Sequence, residues 1–378
     1  MTILSSKIIT QALKLAFHKV KKNNTGKNAD YIPYLKNAES NIFGITIVTT
    51  KGEIYEIGDT TTKIAIESIA KVFTLCLALE ENGKDAIMNK IGVSQSFLPF
   101  NSILGSEIMN EYHSSTINPF VNAGAIATAS LITGENKYDN WMKLYTNMNR
   151  FAGRRLDINE ELYLSEKKTN KTNNALAHLL DSHNRFYGDI NDTLEIYTRQ
   201  GSVMVSSTEL AVMASTLANC GRNPFTNEQI VSNEHASFVL STMMSSGLYN
   251  YSGPWICNIG LPGKSGVGGG IIAVVPGKLA IGVVSPRLDK HGNSVRGIET
   301  CIELSKLLNL NLFNPDTLCN MPTRKISIKK RLNRRKLTVQ SKNVSYKIDR
   351  DLFKKKIKGK ELIHKINTRR KTRRSKKT

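Results

Sequence analysis

Residues 65–80 read AIESIAKVFTLCLALE. From Ser68 to Glu80 the length and apolar content predict a helix that is buried on most of its surface. Such a helix has little use for an ammonium group, yet Lys71 stands three residues after Ser68. Positions i and i+3 of a helix share a face, with Cβ atoms about 5–6 Å apart. A serine in the first turn sits at the positive end of the helix dipole, which favours a developing alkoxide. A lysine in apolar surroundings loses solvation of its charged form, so its pKa falls toward the range of a general base. A weak nucleophile beside a base able to take its proton is what acyl transfer requires. The plain alternative is an N-cap serine followed by a lysine that snorkels to solvent.

The segments on either side decide what this helix packs against. Upstream, residues 8–20 have a helical pattern, and NIFGITIVTTKGEIYEIGD (residues 41–59) alternates apolar and polar residues around a TKGE turn, a hairpin signal. Between about 85 and 245, helical patterns are broken by polar loops; TELAVMASTLANCG (208–221) is the clearest, with a terminal Gly suited to a C-cap. GLPGKSGVGGGIIAVVPGKLAIGVVSP (260–286) reads as a Gly-rich turn, a β-branched strand, a Pro-Gly turn and a second strand. SVRGIETCIELSKLLN (294–309) is an amphipathic helix. Strands at both ends of a helical middle predict an α+β fold, with one antiparallel sheet assembled from both ends, flanked by helices, and a helical lobe inserted between its halves. There is no internal repeat.

KSGVGGG (264–270) is the second candidate for chemistry. Ser-Lys acyl enzymes carry K-[ST]-G on an edge strand near the nucleophile. There a backbone N–H can face the oxyanion of a tetrahedral intermediate, and glycines permit close backbone approach. The GKS within it imitates the end of a phosphate loop, but Asn258 stands where the first glycine of that motif is required. A structural hairpin turn is the remaining alternative.

The blocks GKNADYIPYL, ESIAKVFTL, NPFVNAGAI, LSEKKTNKTNNALA, YTRQGSVMVSSTELAVMASTLANCG, GLYNYSGPW, GLPGKSGVGGG and SPRLDKHGNSVRGIE follow one another in this order. Together they resemble the serine-dependent glutaminases, relatives of the β-lactamase and penicillin-binding fold, from about Asp30 to Glu299. The resemblance implies a β-lactamase-like fold and an amidohydrolase that turns L-glutamine into L-glutamate and ammonia through a γ-glutamyl ester. It makes Ser68 the nucleophile and Lys71 its base. It implies a glutamine pocket lined by Tyr31, Asn122, Glu166, Asn173, Tyr197 and Tyr249. The backbone of Val267 would contribute to the oxyanion hole with the N–H of Ser68, and Tyr249 would also relay a proton to the leaving ammonia. These types suit a zwitterion with a primary amide: a carboxylate such as Glu166 for the α-ammonium, Asn and Tyr donors for the α-carboxylate. Read singly, each Tyr or Asn is equally a packing, turn or cap residue. A β-lactam-recognising acylase of the same fold is the nearest alternative, and an inactive glutaminase body serving a binding protein is another. The family further implies a homo-oligomer, a dimer or tetramer. Some members are activated by phosphate, but no residue here marks such a site.

The totals bound the rest. The chain has 378 residues and a formal net charge of +22. Residues 321–378 hold 24 Lys and Arg against 3 acids, and residues 1–320 hold 29 against 28. The sequence thus divides into a neutral catalytic body (1–310), a linker (311–320) and a basic tail (321–378), expected to be disordered or partly helical. Such a tail suits nucleic acid or acidic lipid as an anionic partner. Five cysteines, none in a C-x-x-C pair, point to reduced thiols and a cytoplasmic chain. The N-terminal stretch lacks an uninterrupted apolar core and a small-residue cleavage site, so it reads as a surface helix rather than a signal peptide. No apolar run reaches the ~18 residues of a membrane span. The scattered histidines lack metal-pair spacing, so neither metal nor cofactor is expected.

Overall fold

The computed structural model describes residues 4–111, 116–314, 336–341 and 344–349. The first helix, α1 (Ser6–Val20), is capped by Ser5, whose hydroxyl accepts from the Ile8 N–H. It buries Ile9, Leu13, Ala16 and Phe17, the i, i+4, i+7, i+8 stripe of an amphipathic helix. The expected hairpin follows as β1 (Gly44–Thr49) and β2 (Ile54–Gly58). The chain then makes a two-residue strand, Ile64–Ala65, held as the Ile66 N–H donates to Val203 O at 2.8 Å.

The helix expected from Ser68 to Glu80 begins differently. Residues Glu67–Ile69 form a single 3₁₀ turn, and the α-helix proper, α2, runs Ala70–Asn82. Leaving a pinned strand and entering a helix within two residues demands a sharp change of direction, and Glu67 supplies it at φ +49°. A tightened first turn is a common way to start a helix under such constraint.

The helical lobe comprises, among others, α3 (Asn122–Ala129), α4 (Glu160–Thr169), α5 (Lys171–Ser182), α6 (Ile190–Gly201) and α7 (Ser207–Ala218). The last begins with a capping box between Ser206 and Glu209. The chain returns to the sheet as β3 (Gly263–Gly266), β4 (Gly270–Val275) and β5 (Leu279–Val284), and α8 (Val295–Leu307) follows. What reads in sequence as a Gly-rich turn is therefore partly strand: β3 pairs with β4 down to Gly266 opposite Gly270.

The main sheet has the order β2-β1-β5-β4-β3, antiparallel throughout. Strands from both sides of the helical middle thus build one sheet, as the strand pattern predicts. The α+β, β-lactamase-like arrangement is the observed one. Its two faces are distinct. Ile45, Ile47, Ile271, Ala273, Ile281 and Val283 join the core beneath α1 and α8. The alternating partners Ile272, Val274 and Ala280 join the core of the helical lobe. With both faces covered, every residue of β4 and β5 is buried, which explains their continuous apolar sequence. The approach of α7 is close: a Cβ on Gly282 would lie 2.3 Å from the Ser207 carbonyl oxygen, and Thr46 Oγ1 is 2.9 Å from Ser207 Oγ.

The chain divides into two units, Met1–Cys319 and Asn320–Thr378. Residues 311–314, expected as linker, lie on the body, since the Leu312 N–H donates to Gly260 O at 3.1 Å. In the second unit, strands Lys336–Ser341 and Val344–Asp349 form an antiparallel ladder with Leu337 opposite Ile348 and Val339 opposite Tyr346. This differs from the disorder or partial helix expected there. The alternation in KLTVQS and VSYKID is that of strands, and the density of Lys and Arg around it obscures the pattern. The rest of the basic stretch lies outside the described residues. Cys76 and Cys301 are buried free thiols, and Cys220 and Cys257 are exposed. Among the described residues no helix is long and apolar enough to cross a membrane.

Candidate active site

The 3₁₀ turn at the head of α2 places Ser68 at the floor of a cavity of about 360 Å³, within the usual range for small-molecule sites of roughly 300–1,000 Å³. Tyr31, Ser68, Lys71, Asn122, Glu166, Asn173, Tyr197 and Val267 line it. Tyr249 lies behind this lining, buried, and its hydroxyl is hydrogen-bonded to Ser68. All the residues singled out in the sequence thus converge on one place, although they span Tyr31 to Val267.

Lys71 does not snorkel. Its side chain is buried, with Nζ donating to Asn122 Oδ1 at 2.7 Å and to Phe120 O at 3.1 Å. The Asn122 amide donates onward to Asn173 Oδ1 at 2.9 Å. The loop that presents Phe120 is shaped by Asn118, whose Oδ1 accepts from the Phe120 and Val121 N–H groups. Burial lowers the Lys71 pKa to about 7, while the nearby Glu67 carboxyl acts in the opposite direction.

The edge strand β3 runs against the turn that carries Ser68. A Cβ on Gly266 would meet Ile66 O at 2.7 Å, and one on Gly268 would meet Ala65 O at 2.2 Å. Only glycine allows so close a passage, and it brings Val267 to the cavity wall. Lys264 on β3 is fully buried; its Nζ donates to the Tyr249 hydroxyl at 3.0 Å and to Ser265 O at 2.6 Å. Burial, with the charge of Lys71 adding to it, holds the Lys264 amine well below the usual lysine range. Tyr249 adopts φ +57°, a costly conformation for an aromatic residue, and packs on Phe100 at 5.1 Å between ring centroids.

Two ionisable residues of the site carry no assignment from sequence. Lys264 appears there only as part of the K-S-G motif. Glu67 is the other. It lines the cavity, is buried, and is in hydrogen-bond contact with Glu166. The signal for it was present, since an acid in the apolar run AIESIAKV calls for a partner or a proton. Burial raises the Glu166 carboxyl to about 7. Among the described residues no group of three or more His, Cys, Asp and Glu side chains is placed to hold a metal ion.

An antiparallel sheet covered by helices, with a Ser-x-x-Lys helix head facing a K-S-G edge strand, puts the chain among the β-lactamase-like proteins. The chain belongs to the glutaminase family, whose model matches residues 26–313. It is 47% identical over 306 residues to the glutaminase of Colwellia psychrerythraea (strain 34H), covering 81% of this chain and 97% of that one. The solved structure of the probable glutaminase ybaS superposes with a TM-score of 0.80 at 42% identity, covering 82% of this chain and 100% of that chain. Mglu in its glutamate form superposes with a TM-score of 0.77 at 35% identity, covering 82% of this chain and 71% of that chain.

Proposed function

We propose that the chain hydrolyses L-glutamine to L-glutamate and ammonia by way of a γ-glutamyl ester on Ser68. Lys71, as the free amine, takes the hydroxyl proton while Ser68 Oγ attacks the side-chain amide carbon. The N–H groups of Ser68 and Val267 face the resulting oxyanion. The C–N bond then breaks, and Tyr249 passes a proton to the departing nitrogen, which leaves as ammonia. The proton on Lys71 returns to the Tyr249 phenolate and frees the amine; water, deprotonated by that amine, attacks the ester, and the proton passes to Ser68 Oγ as glutamate leaves. Glu166 holds the α-ammonium, and Asn122, Asn173, Tyr31 and Tyr197 fix the α-amino-acid end. The observation that carries this reading is the burial of Lys71 beside the cavity, where its amine has a pKa of about 7. Family membership supplies the substrate. The family likeness and reduced-cysteine composition further suggest a cytoplasmic dimer or tetramer.

The test is ammonia release from glutamine by the wild type and by Ser68→Ala. The wild type should turn over, and the variant should lose several orders of magnitude in kcat, on the scale of other nucleophile deletions. Unchanged turnover in the variant rejects Ser68 as the nucleophile.

A further inference from the structure

Glu67 and Glu166 meet in the wall of the substrate cavity. Both carboxyls border Gly201 on α6: a Cβ there would lie 3.4 Å from Glu166 Oε2 and 3.6 Å from Glu67 Oε2. The two carboxyls are in hydrogen-bond contact. A hydrogen bond between carboxyl groups needs a proton, because two carboxylates are acceptors only. Glu67 Oε1 is buried and accepts no hydrogen bond from a donor group. The stem of Glu67 is fixed by the passing edge strand, with its Cβ and Cγ within 3.4 Å of where Cβ atoms on Gly266 and Gly268 would stand.

From these contacts, and resting on the glutamine-site reading above, we propose that Glu67 and Glu166 work as an acid pair that holds one proton in the empty site and releases it to solvent when the α-ammonium of the substrate enters. The incoming cation replaces the shared proton as the group that keeps the two oxygens together, and it gives Glu67 Oε1 the donor it lacks. No bond other than the O–H bond breaks, and the proton goes to buffer.

The surroundings favour this. Burial, and then the charge of Glu166, raise Glu67 well above the usual carboxylate range. Lys71 on α2 faces Glu67, and its charged form acts against that rise. Glu67 in turn raises Lys71, so an ionised Glu67 in the empty site would draw a proton onto the base. Tyr31, Tyr197 on α6 and Tyr249 also face Glu67, and all three are held in the phenol form by burial. Lys264 on β3 is held uncharged by burial and offers no second cation. The shared proton thus leaves the pocket with one negative charge and leaves the amine of Lys71 free.

The test is calorimetric binding of L-glutamate to the intact wild-type chain at pH 8, in PIPES and in imidazole buffers, whose ionisation heats differ. At this pH Lys71, lowered to about 7, and Glu166, raised to about 7 beside Glu67, have already lost their protons, so the proton the pair still holds is the one on Glu67. The expected result is a buffer-dependent heat that reports release approaching one proton per bound glutamate. Glu67→Gln keeps the size of the side chain and its donor to Glu166 but has no proton to lose, and should bind with the buffer dependence abolished. A wild-type heat independent of buffer overturns the proposal without recourse to the variant. Equal release from Glu67→Gln also overturns it, since the proton then comes from elsewhere. Failure of the wild type to bind glutamate at all would instead remove the glutamine-site reading on which the proposal stands.

Discussion

Lys71 Nζ donates to Asn122 Oδ1 at 2.7 Å and to the Phe120 carbonyl at 3.1 Å. These two contacts use both hydrogens of an uncharged amine and leave its lone pair free, whereas an ammonium would bring a third hydrogen needing an acceptor. The free base grows as pH rises through about 7, the value to which burial lowers Lys71. Glu166, raised to about 7 by burial, ionises over the same range, and its ionised form is the one that holds an ammonium. Both titrations act in one direction, so kcat/KM should climb between about pH 6 and pH 8. Asn122→Asp sets a carboxylate against the amine, stabilises its charged form and should move that climb to higher pH. A flat wild-type pH–rate profile across the interval would exclude Lys71 as the base.

Tyr249 joins the two sides of the site, with its hydroxyl bonded to Ser68 and accepting from Lys264 at 3.0 Å. Tyr249→Phe keeps the ring on Phe100 and deletes only the hydroxyl. It should lower kcat by roughly 10²–10⁴, the typical contribution of a general acid or base, with a smaller change in KM. Lys264→Met should also lower kcat. Because Lys264 acts through the phenol, the double variant should be no slower than Tyr249→Phe alone. Steady-state kinetics on the three variants decide the matter; additive losses would mean that Lys264 serves the reaction by another route.

How much of this was legible in sequence follows from the range of each signal. The Ser68–Lys71 pair is local, set by helical spacing, and could be read directly. The sheet could be assembled because GIIAVV and LAIGVV are long enough to show strand character. Ile64–Ala65, Val203–Val205 and Asp157–Ile158 pair into a small sheet beside the nucleophile turn but are too short to carry a period. Tyr249 and Val267 reach Ser68 only through tertiary packing, so the family resemblance, not spacing, brought them to notice. Glu67 went unassigned because its meaning depends on Glu166, a partner on a different helix.

The seam between α7 and the sheet offers a test of the fold that leaves the chemistry alone. Gly282 on β5 faces Ser207 and Ala211, and a methyl group there would stand 2.3 Å from Ser207 O and 2.7 Å from Ala211 N. Both obstacles are backbone, so neither a rotamer change nor a flexible side chain can relieve the clash. Gly282→Ala should destabilise the body by about 1–3 kcal/mol, the usual cost of overpacking, or somewhat more. Denaturant titration with the m-value held in view would measure it. A midpoint equal to that of the wild type would show that α7 moves freely over the sheet.

The basic stretch calls for a separate experiment, because its charge has no counterpart in the body. Residues 321–378 carry 24 Lys and Arg against 3 acids, while the 29 and 28 of residues 1–320 nearly cancel. The site residues, Tyr31 to Val267, all lie in the unit that ends at Cys319. Deleting 321–378 should therefore leave glutamine turnover unchanged. The same deletion should abolish binding to duplex DNA or to vesicles rich in acidic lipid. In the full chain, the DNA affinity should fall with salt at a slope of about −0.9 for each phosphate neutralised. Fluorescence anisotropy across a salt series for DNA, and vesicle sedimentation for lipid, distinguish the two partners. Loss of turnover on truncation would mean that the stretch belongs to the catalytic fold or to an assembly that the site needs.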